Sequence, residues 1–228
     1  MTSIAIATRR GTSGPSADAA ATYTSPSTGR TAAAVVDGMG HGEDIVRLAP
    51  MLAETAVRVG AVNGALAGLL SAGLLVRDPG PDGVGVLAVG REDGSAELVW
   101  AGDCRAWRWD GEQLHHLTTD HNLAAYLTRA ARDNRGQGEV PVAALADYVG
   151  ITLGLATPAT APYISVPAGG LLLLTSDGVH DQVPADEIEA LVRKLHDRPQ
   201  ALAESLVAAA RPGFQGERDD ATALVITV

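Results

Sequence analysis

Lysine is almost absent from this chain: Lys194 is the only one in 228 residues. It follows Arg193 rather than a glycine, so there is no phosphate-cradling G-x-x-x-x-G-K and no strand lysine of the protein-kinase kind. Mechanisms that need a lysine nucleophile are likewise not provided for. Cysteine is equally scarce. With Cys104 alone, an intrachain disulfide and a site of several thiolates are both excluded, and a reducing compartment fits. Basic residues number 17 against 27 acidic ones, a formal charge of -10, which argues against a nucleic-acid partner because phosphate backbones need clustered Lys and Arg. Long apolar runs are missing too. The longest, residues 65–76, is interrupted by Gly68 and Gly73 and falls short of the ~20 residues a membrane helix needs. Residues 1–8 show no basic start followed by an apolar stretch, so no signal peptide is evident. The expectation is a cytoplasmic monomer with neither a nucleic-acid nor a membrane partner.

What is present is a chain long enough to bury a sizeable core, without internal repeat or convincing linker, so residues 1–228 are expected to form a single domain. Strands are predicted over residues 3–8, 18–24, 31–36, 84–89, 96–101, 104–109, 112–117, 171–175 and 221–228, with Asp110-Gly111 as a hairpin turn. Helical spacing covers residues 43–59, where Pro50 is expected to kink or end the helix, and residues 65–77, 122–132, 186–195 and 200–210. Residues 133–141 are polar, contain glycine and read as the best flexible loop. Helices thus come in pairs between groups of strands. That order favours an α+β layered architecture over a doubly wound sheet.

The most informative pattern is acidic. Ala32 to Val36 run into Asp37-Gly38-Met39-Gly40-His41-Gly42, Leu171 to Leu174 run through Thr175-Ser176 into Asp177-Gly178, and Asp219-Asp220 stand directly before the last strand. Each pair read alone is an ordinary turn. Read together, they place carboxylates at the tips of buried strands, where like charges repel and a cation is the economical solution. Carboxylates with a backbone carbonyl are hard ligands that suit Mg2+ or Mn2+, and no His or Cys pair points to zinc. Two such ions about 3.5–4 Å apart lower the pKa of a shared water and bind phosphoryl oxygens, so phosphate-ester hydrolysis is the chemistry to expect.

Four blocks in order then resemble the metal-dependent protein phosphatase (PPM, type 2C-like) family: VVDGMGHG from Val35, WAGDCRAWRWDGEQLHHLTTDH from Trp100, LLLLTSDGVHDQV from Leu171 and RDDATALVITV from Arg218. The second is similar to the family's G-D-S-R-x-Y…G-x-L…L-T-x-D-H, with Cys104 in place of Ser. The resemblance implies a four-layer α-β-β-α sandwich, two antiparallel sheets flanked by helix pairs. It also implies serine/threonine phosphatase activity on a phosphorylated protein, by in-line attack of a hydroxide held between two Mn2+ or Mg2+ ions. By position, Asp37 would bridge the ions, the Gly38 carbonyl would bind one, Asp177 and Asp219 would complete the first carboxylate set, and Asp37, Asp177 and Asp219 would be the catalytic set. Asp103 and Asp181 match acidic positions that hold a third ion in bacterial relatives.

The departures are specific. Against the family's N-terminal R-x-x-N-E-D-A stands Ser13-Gly14-Pro15-Ser16-Ala17-Asp18-Ala19. Asp18 is kept as a metal ligand, but Ala17 replaces a ligand of the second ion and Ser13 replaces the phosphate-binding Arg, for which Arg9, Arg10 and Arg30 are the candidate substitutes. Met39 stands where several relatives carry a general-acid His, and His41, two positions on, is read either as that acid or as a residue that caps or packs at the helix start. His115, His116 and His121 read as structural, and Trp100, Trp107 and Trp109 as core and rim. The region 122–141 corresponds to the family's variable flap. DGMGHG resembles the stress-response and sporulation branch, whereas the middle block is more like the general bacterial enzymes. A catalytically impaired regulatory or binding module is the rival reading, and a hydrolase of small phosphoesters the third.

Overall fold

A computed structural model describes residues 3–133, 148–213 and 216–227 of the chain. Its strands are β1 (Ile4–Arg9), β2 (Asp18–Thr24), β3 (Thr31–Gly38), β4 (Gly83–Gly90), β5 (Ala96–Ala101), β6 (Arg105–Trp109), β7 (Leu114–His116), β8 (Tyr163–Val166), β9 (Leu171–Thr175) and β10 (Ala221–Thr227). Its helices are α1 (Glu43–Asn63), α2 (Ala65–Gly73), α3 (Leu123–Asp133), α4 (Asp177–His180), α5 (Ala185–Leu195) and α6 (Pro199–Ala209). The strands form two five-stranded antiparallel sheets, ordered β1-β10-β9-β6-β7 and β2-β3-β4-β5-β8.

The composition of the strands dictates the layers. The side chains of β9 are buried on both faces, as an unbroken LLLL run requires. Leu172 and Leu174 join Val35, Val86, Leu98, Trp100 and Leu224 in the core between the sheets. Leu171 and Leu173 face the other way, onto Ile188, Val192, Leu202 and Leu206 of the α5–α6 layer. β3 divides likewise: Ala33 and Val35 face inward, while Ala32, Ala34 and Val36 pack under Ala49, Leu52, Ala53 and Ala56 of α1. Each fully buried leucine contributes about 1.5–3 kcal/mol, so the three apolar layers carry most of the stability. The result is the α-β-β-α sandwich.

Several elements differ from the sequence reading. α1 runs straight through Pro50, which lies on the exposed side. The lost hydrogen bond costs about 3 kcal/mol, less than the apolar face of this helix recovers against β2 and β3. α2 stops at Gly73, earlier than expected, and only a glycine fits there, since the Leu153 carbonyl passes 2.2 Å from where a Cβ would stand. β8 was not foreseen: Tyr163, Ile164 and Val166 are strand formers, but only four residues fit between Pro162 and Pro167, and pairing with β5 sets them at a sheet edge. The Asp110-Gly111 hairpin is present, with Asp110 Oδ1 accepting the N–H groups of Glu112 and Gln113. Most of the expected loop at 133–141 lies outside the described residues. Among the described residues no helix is long and apolar enough to cross a membrane.

Candidate metal centre

Antiparallel pairing brings the acidic strand tips to one end of the sandwich. β2 and β3 pair with Asp18 directly opposite Asp37. β9 and β10 pair with Thr175 opposite Ala223, so Ser176-Asp177 and Asp219-Asp220 leave the other sheet side by side. The two sheets are tied there by Ser176, whose hydroxyl donates to Asp18 Oδ2 (2.7 Å) and accepts the Thr222 N–H (2.9 Å). The sequence reading named Asp18, Asp37 and Asp177 and missed Ser176, which is visible only as the small polar residue before Asp177.

The electrostatics show what such crowding does. Burial pushes Asp37 well above the usual carboxylate range, and the neighbouring charges of Asp177, Asp18 and Asp219 add to it. Asp177 is raised to about 8 by burial, then by Asp219 and Asp103, while its closeness to the Asp37 carboxyl pulls the other way. Asp18 is raised to about 7, mainly by burial, although the Ser176 and Thr222 hydroxyls pull the other way. Asp18 Oδ1 and Asp177 Oδ1 are buried without a hydrogen-bond partner. Asp37 and Asp177 nevertheless keep a side open to solvent, and Asp219 is exposed.

Among the described residues no group of three or more His, Cys, Asp or Glu side chains is placed to hold a metal ion as it stands. The donor set still fits a hard divalent cation: it is all oxygen, over-charged for its burial, and carries two orphaned carboxylate oxygens. The Gly38 carbonyl belongs to the same tip, where Gly38 also donates its N–H to Ala17 O (3.2 Å). A Cβ at Gly38 would meet Ile45 Cγ1 at 2.5 Å, so no larger residue fits that position.

Asp103 and Asp181 flank a different group. Asp103, on the β5–β6 turn, is raised to about 6 by burial and then by Asp120. Between these acids lies Arg105, paired with Asp120 through two nitrogens (3.1 and 2.7 Å) and 3.8 Å from Asp181. A guanidinium thus provides part of the positive charge for the corner read as a third ion position. Asp120 and Arg105 were absent from the sequence-derived site. Their signal was the G-D-x-R and D-H ends of one block.

Of the candidate substitutes for the missing phosphate-binding arginine, Arg9 donates to the Val207, Ala208 and Ala210 carbonyls, and Arg30 bonds Val62 O at the start of β3, the far end of the sandwich. Arg10 alone sits at the acidic end, its Nε held by Gly14 O. His41 does not cap α1, whose N-cap Gly42 has no side-chain bond. Its ring packs against Gly14, with Nδ1 3.8 Å from Asp220. His115, His116 and His121 are structural: His115 pairs with Asp110, His116 stacks on Trp107 and His121 on Trp100.

A cavity of about 610 Å³ opens beside this end, bordered by Trp100, Asp120, His121, Tyr126, Tyr148 and Ile151. Another, about 350 Å³, lies between the sheets at the opposite end, by Arg30, Arg91 and Leu172, away from the carboxylates.

Residues 104–228 match the family model described as Stage II sporulation protein E (SpoIIE). No curated protein sequence matches the chain. Among solved structures, a serine/threonine phosphatase of S. agalactiae superposes with a TM-score of 0.81 at 17% identity, over 100% of both chains. Serine/threonine phosphatase Stp1 from Staphylococcus aureus gives 0.79 at 17% identity, covering 100% of this chain and 95% of that one. The PPM Ser-Thr phosphatase MsPP from Mycobacterium smegmatis, in complex with cacodylate, gives 0.77 at 22% identity over 99% and 98%. These likenesses establish the fold. The family match is to the sporulation branch, which the DGMGHG block also resembles.

Proposed function

The chain belongs to the SpoIIE family, with the PPM phosphatase fold, and from that premise we propose that it is an Mg2+- or Mn2+-dependent phosphatase of phosphoserine and phosphothreonine in proteins. The observation that carries this reading is the over-charged oxygen cluster at one end of the sandwich: Asp18, Asp37 and Asp177 all raised, two of their oxygens orphaned, and Asp219 beside them. Asp37, Gly38, Asp177, Asp219 and Asp18 would hold two divalent ions, and Asp103 and Asp181 a third. Bound there, the ions would neutralise phosphoryl oxygens and activate a water. The chain's own part is to aim the carboxylates. Asp37 is fixed by its register opposite Asp18, Asp18 by the Ser176 hydroxyl, and Asp177 by the first turn of α4. Asp37 and Asp177 are each partly exposed, and a phosphate group would approach them from that side. We read residues 1–228 as one domain acting as a monomer in the cytoplasm.

The test is hydrolysis of p-nitrophenyl phosphate and of a phosphothreonine peptide with Mn2+, with Mg2+ and with EDTA. Turnover is expected with either metal and none with EDTA. A folded protein inactive under every condition would favour the regulatory module that Ala17 and Ser13 argue for.

The aromatic cavity gives a second expectation. Tyr126 is 68% exposed and Tyr148 65% exposed on its border, placed to hold the peptide around the phosphoresidue. Tyr126→Ala should raise KM for the peptide about five- to tenfold, as one lost aromatic contact worth roughly 1–1.5 kcal/mol implies, and leave p-nitrophenyl phosphate kinetics unchanged. Equal losses on both substrates would show that Tyr126 acts on the site itself.

A further inference from the structure

Asp220 is buried to 3% exposure beside the cluster. Both of its oxygens are committed to backbone. Oδ1 accepts the Gly11 N–H (2.6 Å) and Oδ2 the Ala17 N–H (2.8 Å), the amide directly before Asp18. The same Oδ2 lies 3.8 Å from His41 Nδ1, on the turn after Asp37 and Gly38. Its backbone carbonyl lies where a Cβ on Gly178, next to Asp177, would stand 1.9 Å away. The clasp is reinforced by Thr12 N–H to Arg218 O (2.8 Å) and Arg218 Nη2 to Arg10 O (2.6 Å). The Asp220 side chain thus reaches the segments that carry Asp18 and Asp37, while its backbone abuts the turn that carries Asp177.

We infer that Asp220 is the positioning residue of the cation site, setting the spacing of the carboxylates through the 10–17 loop rather than by ligation. The inference rests on the proposed reading that these carboxylates bind a divalent cation. It gives the missing carboxylate at Ala17 a structural counterpart: Ala17 is 1% exposed, and its amide is held by Asp220 while its carbonyl accepts from Gly38. The loop is thereby fixed without the ligand that position usually supplies. A shared carboxylate acceptor for two amides cannot be replaced by an amide side chain, whose NH2 would face one of those N–H donors.

The experiment is Mn2+ binding to Asp220→Asn by calorimetry, beside Mn2+ dependence of turnover. The dissociation constant should rise at least tenfold, with half-saturation for turnover moving by the same factor. A purely structural role would lower the melting temperature and leave Mn2+ affinity within twofold of wild type, which would overturn the inference. Linkage supplies a test that needs no variant. Saturating Mn2+ should slow hydrogen exchange at the Gly11 and Ala17 amides of the wild-type chain at least tenfold, and unchanged exchange there would refute the coupling. Both readouts survive if the phosphatase reading fails: a chain that binds Mn2+ but hydrolyses nothing still reports on Asp220. One that binds no Mn2+ sinks both.

Discussion

Asp37→Asn is expected to abolish turnover and to stabilise the metal-free protein. Asp37 stands at the centre of the cluster, opposite Asp18 across the β2–β3 pair and hydrogen-bonded to Asp177. Removing its charge should forfeit several kcal/mol of transition-state stabilisation, roughly 10³-fold or more in kcat. The same charge is a liability for folding without a cation, because burial, Asp177, Asp18 and Asp219 all disfavour it. Relief of about 1–2 kcal/mol should raise the melting temperature by about 2–8 °C in a chain of this size. The pH dependence follows with its sign. Asp177 is raised to about 8 and Asp18 to about 7, so between their ordinary pKa and these values the folded state holds protons that the unfolded chain has released. The stability these groups contribute is present at the acidic end of that window and is lost as pH rises through about 7 to 8. Metal-free wild type should therefore melt higher at pH 6 than at pH 8, and the difference should shrink in Asp37→Asn and with saturating Mn2+, which binds the deprotonated carboxylates. Calorimetric melting at the two pH values decides it. A variant no more stable than wild type, or a metal-free protein that melts lower at pH 6, would mean that the carboxylates are not crowded in solution.

The legible parts of the fold are those written in local composition. LLLL before Asp177 and AAAVV before Asp37 announce strands buried on both faces, and two such strands with paired helices between them already imply two sheets with outer helices. The acids drew notice only jointly: each Asp-Gly alone reads as a turn, and three acidic tips beside buried strands do not. What escaped was long-range or marginal. Asp220 meets Gly11 and Ala17 across 209 and 203 residues of sequence, and no local pattern encodes that clasp. β8 exists because β5 offers it an edge, and α4 is a single turn. Pro50 does not end α1, because the buried face of the helix offsets the local penalty. Arg105 shows the limit of analogy. Its block offered Asp103 and Asp181 as a third ion position, but not the guanidinium that lies among Asp103, Asp120 and Asp181.

Gly178→Ala should be the most damaging single-methyl change in the site. Gly178 has an ordinary helical setting in α4, so its glycine is required by space rather than by backbone conformation. A Cβ there would fall 1.9 Å from the Asp220 carbonyl oxygen and 2.7 Å from its carbon, both backbone atoms of the segment entering β10. Neither can rotate aside, so α4 and the start of β10 must separate. Overpacking of this kind costs about 1–3 kcal/mol, or roughly 2–12 °C in melting temperature. The functional loss should be larger than the stability loss. The displaced turn carries Asp177 on one side and Asp219-Asp220 on the other, and a shift near 1 Å in such a constellation costs about 10²-fold in rate. Gly42→Ala is the matched control: Gly42 has φ -69°, and nothing lies within 4 Å of a Cβ there. The measurement is kcat at saturating Mn2+ with the melting temperature for both variants. If Gly178→Ala keeps wild-type turnover while Gly42→Ala does too, the junction of α4 with β10 does not set the position of Asp177, and the rigid convergence argued for the cluster is wrong. If turnover falls about 100-fold in Gly178→Ala alone, the spacing of the carboxylates is held by backbone contact as much as by the acids themselves.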